Sequence, residues 1–415
     1  MISYDFFLHL ALILLATKVL GMLSRKLHMP QVVGALIAGL ILGPNILGLV
    51  EETTFLSMMA ELGVIFIMFM AGMETDIKQL KQTGKASFII AIFGVVIPLG
   101  GGFLIASAFH GGFAFTDTKQ VLENIFIGII LMATSVTISV ETLREMGKLS
   151  TKTGTAILGA AVIDDIVGII ALTVLMSLGD ASIHVGVVIL KILGFFVFAG
   201  VTGAGFYFLF KYLSKKHGRK RRVPVYSLVF CLLLSYSAEH FFGVADITGA
   251  YLAGAMISNI TLSGYVNSKV EVTSYMLFSP VFFASIGLRA KIDNFTPDVI
   301  WFTVALIAVA LLSKIIGGGV GARLSGFSFP QSLRTGIGMM ARGEVALIVA
   351  DRGVSAGLIP HEHLTPIVIL VIVSSILTPI LLKASYNSRG SDIQMLQQTR
   401  YSAYRDRHFN SSFTD

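Results

Sequence analysis

Two adjacent carboxylates, Asp164 and Asp165, lie in a stretch of the chain, TAILGAAVIDDIVGIIALTVLMSL (155–178), that is otherwise apolar. One ionised side chain at the centre of a membrane helix costs roughly 2.5 to 3.5 kcal/mol on insertion scales, so a pair points to a task other than packing. A cation able to answer the pair is Lys314, midway along a second apolar segment, WFTVALIAVALLSKIIGGGVGA (301–322). A lysine held beside a carboxylate and away from water can carry an exchangeable proton at physiological pH. Carboxylate and carbonyl oxygens are the ligands that hard cations take, and binding at such ligands displaces protons. The chemistry open to this set is competition between a sodium ion and protons for one buried site. The plainer reading, a buried ion pair serving helix packing, is disfavoured because an apolar pair is usually at least as stable.

These groups need elements to place them. Asp165 falls ten residues into its segment, about 15 Å along a helix and so near the middle of a hydrocarbon core about 30 Å thick. Asp164 is turned from it by about 100°, so the two carboxylates are not equivalent. Two further apolar segments are interrupted at membrane depth. One carries Thr134, Ser135, Thr137 and Ser139 and ends in Glu141; the other carries Gly336, Gly338, Arg342, Gly343 and Glu344. Broken helices expose carbonyls that coordinate a cation and terminal dipoles that need a counter-charge. Thr134 and Ser135 are candidates for that role, although hydroxyls in such helices often bond back to the backbone. Arg342 and Glu344 are candidates that can equally neutralise one another or their neighbours.

The frame is a membrane. Hydrophobic residues make up 54% of the 415 and charged residues 13%, with a mean hydropathy of +0.81, which excludes an ordinary soluble domain. Windows of roughly 20 residues predict thirteen helices, near 6–23, 32–49, 57–74, 86–109, 125–143, 155–178, 185–210, 225–242, 246–261, 272–288, 298–322, 333–351 and 364–383. The first lacks the basic start and small-residue cleavage pattern of a signal peptide and reads as a retained span. Basic loop residues alternate in side: Arg25, Lys26, Lys78, Lys81, Lys85, Arg144, Lys148, Lys152 and the run 211–222 share one face, against Lys119, Arg289, Lys291 and Arg352 on the other. The positive-inside rule then puts the amino terminus outside and the carboxyl terminus in the cytoplasm. The basic run 211–222 is read as an orientation signal resting on anionic membrane lipid, not a nucleic-acid site. Residues 1–385 form the membrane unit, and 386–415 are expected to be a short cytoplasmic tail.

The chain also repeats itself. Gly34, Ala35, Ala38 and Gly39 match Gly249, Ala250, Ala253 and Gly254, and the same register pairs Gly72 with Gly287. An odd number of spans separates the mates, so the two halves, about 32–178 and 246–383, enter the membrane in opposite senses. Inverted repeats with interrupted helices are the architecture of secondary transporters, with the ion site near the midplane. Nothing supports an enzyme or a cofactor: Cys231 is the lone cysteine, no H-E-x-x-H motif or phosphate loop occurs, and the glycine clusters 100–102 and 317–319 sit in apolar helices.

The segments ATSVTISVETLREMGKL, VIDDIVGI, LLSKIIGGGVGARL and GMMARGEVALIVA resemble the bacterial monovalent cation:proton antiporters, in the branch of sodium/proton antiporters and potassium-efflux proteins. The resemblance covers about residues 6–383. It implies an all-α fold of thirteen transmembrane helices in a homodimer, with a dimerisation domain and a six-helix core holding two crossed, unwound helices. It implies elevator-type alternating access in a bacterial cytoplasmic membrane and a part in pH homeostasis. By motif, Asp165 is expected to be the main ion-binding carboxylate, Asp164 its companion and Lys314 the basic partner, with Thr134 and Ser135 in the crossing. The aspartate pair implies electrogenic exchange of sodium, with lithium or potassium as further cargo, and argues against gated potassium efflux. A potassium/proton antiporter, a cation channel and a sodium-coupled solute symporter are the competing expectations.

Overall fold

A computed structural model describes residues 4–387 except 28, 45, 76, 110–117, 180–184, 218–221, 259, 261, 290–296 and 356. Most of the basic run 211–222, Lys291 and the tail beyond 387 therefore lie outside the described residues or side chains. Every described element is helical: α1 (Asp5–Lys26), α2 (Gln31–Leu42), α3 (Thr54–Met73), α4 (Ile77–Phe109), α5 (Thr118–Met132), α6 (Val136–Glu145), α7 (Lys152–Gly179), α8 (Val185–His217), α9 (Arg222–Phe242), α10 (Asp246–Ser258), α11 (Ser263–Thr273), α12 (Ser279–Leu288), α13 (Pro297–Leu324), α14 (Phe329–Gly338), α15 (Glu344–Ser355) and α16 (Leu364–Asn387). A π-helical turn, Ser274–Phe278, joins α11 to α12.

Ten segments among the described residues are long and apolar enough to cross a membrane, and each coincides with one of the thirteen expected spans. The other three expected spans are also helical but shorter, at 12 residues for α2, 13 for α10, and 10 and 12 for the pair α14 and α15. Large apolar side chains stand exposed along the outer helices, among them Leu190 (70%) and Val201 (69%) of α8, as lipid-facing surfaces require.

Expected breaks in the fifth and twelfth spans are present. Residues 133–135 separate α5 from α6, and 339–343 separate α14 from α15. The two breaks touch: Ser135 N–H donates to the Ala341 carbonyl (2.8 Å), and Ser139 Oγ donates to the Gly338 carbonyl (2.6 Å). Each break thus satisfies backbone groups of the other, which a lone interrupted helix in lipid could not do.

The repeat is visible as packing. Gly39 of α2 lies against the Ala284 backbone of α12, and Gly287 of α12 lies against Gly39 and Leu40. The mates do the same one unit on, with Gly254 of α10 against Phe69 and Gly72 of α3, and Gly72 against Tyr251 and Gly254. Glycines matched by the repeat therefore build two equivalent close helix crossings, where a Cβ would collide with backbone. Packing sorts the helices further. α13 packs chiefly on α4, which also holds α5 and α7, while α16 joins α13, α14 and α15; α2, α3, α9, α10 and α12 pack chiefly among themselves, and α6 lies between, touching α7 and α16 on one side and α2 and α3 on the other.

Candidate functional site

The site forms where α7 and α13 pass the two breaks. Asp164 is 3% exposed and Lys314 is fully buried. Lys314 Nζ donates to both Asp164 oxygens at 3.2 Å, and Thr134 Oγ1, in the α5–α6 break, donates to Asp164 at 2.5 Å. Thr134 also lies 3.4 Å from the Met132 carbonyl, so the expected back-bond is the weaker of its two contacts. One carboxylate thereby ties together α7, α13 and the first break. Gly94 of α4 packs near the ammonium, where a Cβ would make ordinary contact with Nζ at 3.8 Å.

Asp165 is half-buried. With Asp164 and Thr134 it lines a cavity of about 380 Å³ that Glu61 of α3, Glu239 of α9 and Asp246 of α10 also line. The two aspartates are thus placed unequally: both line the cavity, but Asp164 is buried and locked to Lys314 and Thr134, while Asp165 is the more exposed. Lys314 is bonded to Asp164, a distinction that adjacency in sequence could not make.

Arg342 is also fully buried. Its guanidinium donates to the Met340 carbonyl (2.9 Å), the Leu131 carbonyl (2.5 Å) and the Ala310 carbonyl (3.2 Å). Leu131 lies in the last turn of α5 and Met340 follows α14, so the charge sits where two helix C-termini present partial negative charge. Its backbone is held by α16, where Ser374 Oγ accepts from Arg342 N–H (3.1 Å) and Ser375 Oγ donates to the Arg342 carbonyl (2.8 Å). Glu344 opens α15, and its side chain lies outside those described. Ser135 Oγ and Thr137 Oγ1 are buried without a hydrogen-bond partner among the described residues, leaving two oxygens in the crossing with spare acceptor capacity.

Several groups here were missed in the sequence. Glu61 and Glu239 carry charge within apolar helices, and the insertion cost that singled out Asp164 would have marked them too. Ser374 and Ser375 gave no signal, because serines are common in membrane helices. Away from the cavity, Arg144 of α6 pairs with Glu74 after α3 (2.9 Å) and Glu271 of α11 (3.0 Å), and Asn267 donates to Glu74 at 3.1 Å. These pairs join α6 to the other packing group.

An all-helical membrane fold whose crossed breaks enclose a buried lysine–aspartate pair defines the class as an ion-coupled transporter. The chain belongs to the family of transmembrane sodium/hydrogen exchangers, whose model matches residues 11–384. It is 40% identical over 391 residues to the Na(+)/H(+)-K(+) antiporter GerN of Bacillus cereus, covering 93% of this chain and 98% of the relative. It is 36% identical over 380 residues to a Na(+)/H(+) antiporter of Enterococcus hirae, covering 90% and 96%. Among solved structures, the sodium proton antiporter MjNhaP1 of Methanocaldococcus jannaschii at pH 8 superposes with a TM-score of 0.65 at 19% identity, covering 91% of this chain and 95% of that one.

Proposed function

We propose that this protein exchanges sodium for protons across a bacterial cytoplasmic membrane, with Asp165 as the ion-binding carboxylate and the Asp164–Lys314 pair as its proton-linked partner. The observation that carries this is the unequal placement of the two aspartates. A cation entering the cavity meets Asp165 first, and drawing Asp164 toward that cation weakens its hold on the lysine proton. Loss of the cation restores the pair. Thr134 positions Asp164, and Ser135 is a candidate oxygen ligand, while Arg342 is the fixed counter-charge of the crossing. With two carboxylates and one releasable lysine proton, the exchange is electrogenic when Asp165 is also protonated on the return step.

Thirteen membrane crossings, with the amino terminus outside, open the cavity to the exterior. Alternating access then moves α4–α7 and α13–α16 as a core against α1–α3 and α9–α12, in an elevator motion within a homodimer. The supporting observation is the division of helix packing into those groups. Potassium is a second cargo, favoured by the likeness to the Na(+)/H(+)-K(+) antiporter GerN; lithium is a third. Purified protein in proteoliposomes with a trapped pH dye tests the proposal. Addition of sodium is expected to collapse an imposed pH gradient, and failure of sodium, lithium and potassium alike would refute it.

A further inference from the structure

A second cavity, of about 290 Å³, lies between α1, α2 and the π-helical turn on one side and α6 on the other. It does not include Asp164 or Asp165. Its walls are oppositely charged: Lys18 and Tyr275 stand on one, Glu141 and Glu145 on the other. Lys18 Nζ donates to Tyr275 Oη at 2.9 Å and lies 5.1 Å from the ring centroid. Tyr275 is 48% exposed, the adjacent Met276 66%, and Leu15 of α1 64%, so both helices offer apolar surface to lipid.

Glu141 is under-satisfied. Its Oε2 is buried without a hydrogen-bond partner among the described residues; the nearest cation among them, Arg144 Nη1, is 3.9 Å away, beyond hydrogen-bond reach, and Arg144 is already engaged by Glu74 and Glu271. Glu145, at the exposed end of α6, accepts from Gln31 N–H at 2.8 Å and retains acceptor capacity. The cavity thus presents an ammonium with a hydroxyl on one wall and, on the other, a Glu141 oxygen wanting a donor beside Glu145, which already accepts from backbone N–H groups at the start of α2. Its depth suits a lipid headgroup. Lys18 is eight residues, about 12 Å of helix rise, from Lys26 at the basic end of α1, on the half of the bundle that ends in those basic residues. Gln31 and Glu145 stand at helix ends on that same face.

We propose that this cavity binds the headgroup of a phospholipid bearing a primary amine, such as phosphatidylethanolamine. The phosphate rests on Lys18 and Tyr275, the ammonium donates to Glu141 and Glu145, and an acyl chain lies over Leu15 and Met276. A choline headgroup carries the positive charge but has no N–H to donate. A glycerol headgroup has the phosphate but no cation. The lipid sits at the junction of α6 with α1 and α2, between the two packing groups.

Native mass spectrometry of the full-length protein, exchanged into equal amounts of dioleoyl phosphatidylethanolamine, phosphatidylcholine and phosphatidylglycerol, tests this. Retention of the ethanolamine lipid is expected to exceed the others by about tenfold or more, the worth of one hydrogen bond to a charged group. The double variant Lys18→Met, Glu141→Gln is expected to erase the preference, and Tyr275→Phe, a smaller change, to reduce it. Equal retention of all three lipids by the unaltered protein overturns the proposal, as does a preference that survives in the variants. If Glu141→Gln alters sodium-driven proton movement while leaving ethanolamine-lipid retention intact, the carboxylate belongs to an ion path and the lipid site is refuted.

Discussion

Replacing Lys314 by methionine removes the charge while keeping most of the side-chain volume, and the buried pair sets the size of the effect. Lys314 and Asp164 have side-chain exposures of 0% and 2% and lie 3.2 Å apart, so solvent screens neither. Breaking such a pair from one side costs about 3–5 kcal/mol, chiefly because the surviving charge is left buried without its partner. In Lys314→Met the survivor is Asp164, which keeps the Thr134 hydroxyl. Adding Asp164→Asn removes the orphaned charge, and the double variant is expected to be more stable than Lys314→Met alone. A double-mutant cycle read by thermal unfolding of detergent-purified protein at fixed pH checks this, with an expected coupling of about 3 kcal/mol or more. Additive single and double variants, or a Lys314→Met protein no less stable than the unaltered one, would refute the claim that this pair is a coupled, desolvated unit.

Thr134→Val removes one hydrogen bond to a charged group, worth about 1.5–3 kcal/mol; sodium affinity is expected to fall about tenfold or more, measured as the sodium concentration giving half-maximal collapse of a pH gradient. Gly72→Leu and Gly254→Leu each drive a side chain into the backbone of the facing helix, and each is expected to cost at least the roughly 1–3 kcal/mol typical of overpacking, read as a lowered melting temperature in detergent. Arg144→Gln removes a cation only 14% exposed that serves Glu74, Glu271 and, at 3.9 Å, Glu141, so its stability cost is expected to exceed the roughly 1 kcal/mol of an exposed pair. Its larger effect is expected on access: a cysteine engineered on α6 should label faster from the Arg144 side once the ties to α3 and α11 are cut.

Much of this was legible in the sequence because membrane insertion makes charge conspicuous. Asp164, Asp165 and Lys314 could be singled out by cost alone, and the glycine register 34–39 and 249–254 disclosed the repeat before any packing was known. The breaks at 133–135 and 339–343 followed from polar and glycine clusters that no apolar helix needs. Pairing was not legible. Adjacent aspartates differ by about 100° around a helix, and which one faces Lys314 depends on how α7 is rotated against α13. Arg342 was ambiguous for a related reason: its partners are carbonyls of Leu131, Met340 and Ala310, and backbone acceptors leave no trace in residue types. The α6 contacts through Arg144 were hidden because Glu74, Asn267 and Glu271 read individually as ordinary residues at helix ends.

The central claim is that sodium and protons compete for one site built on Asp165, Asp164 and Lys314. Proton release on sodium binding tests it most directly, measured by adding sodium to the purified protein in weakly buffered detergent solution at mildly alkaline pH and following a soluble pH indicator. The unaltered protein is expected to release protons saturably with sodium, choline chloride is expected to release none, and Asp165→Asn is expected to abolish the sodium response. Saturable sodium binding without proton release, or release that persists in Asp165→Asn, would contradict the account.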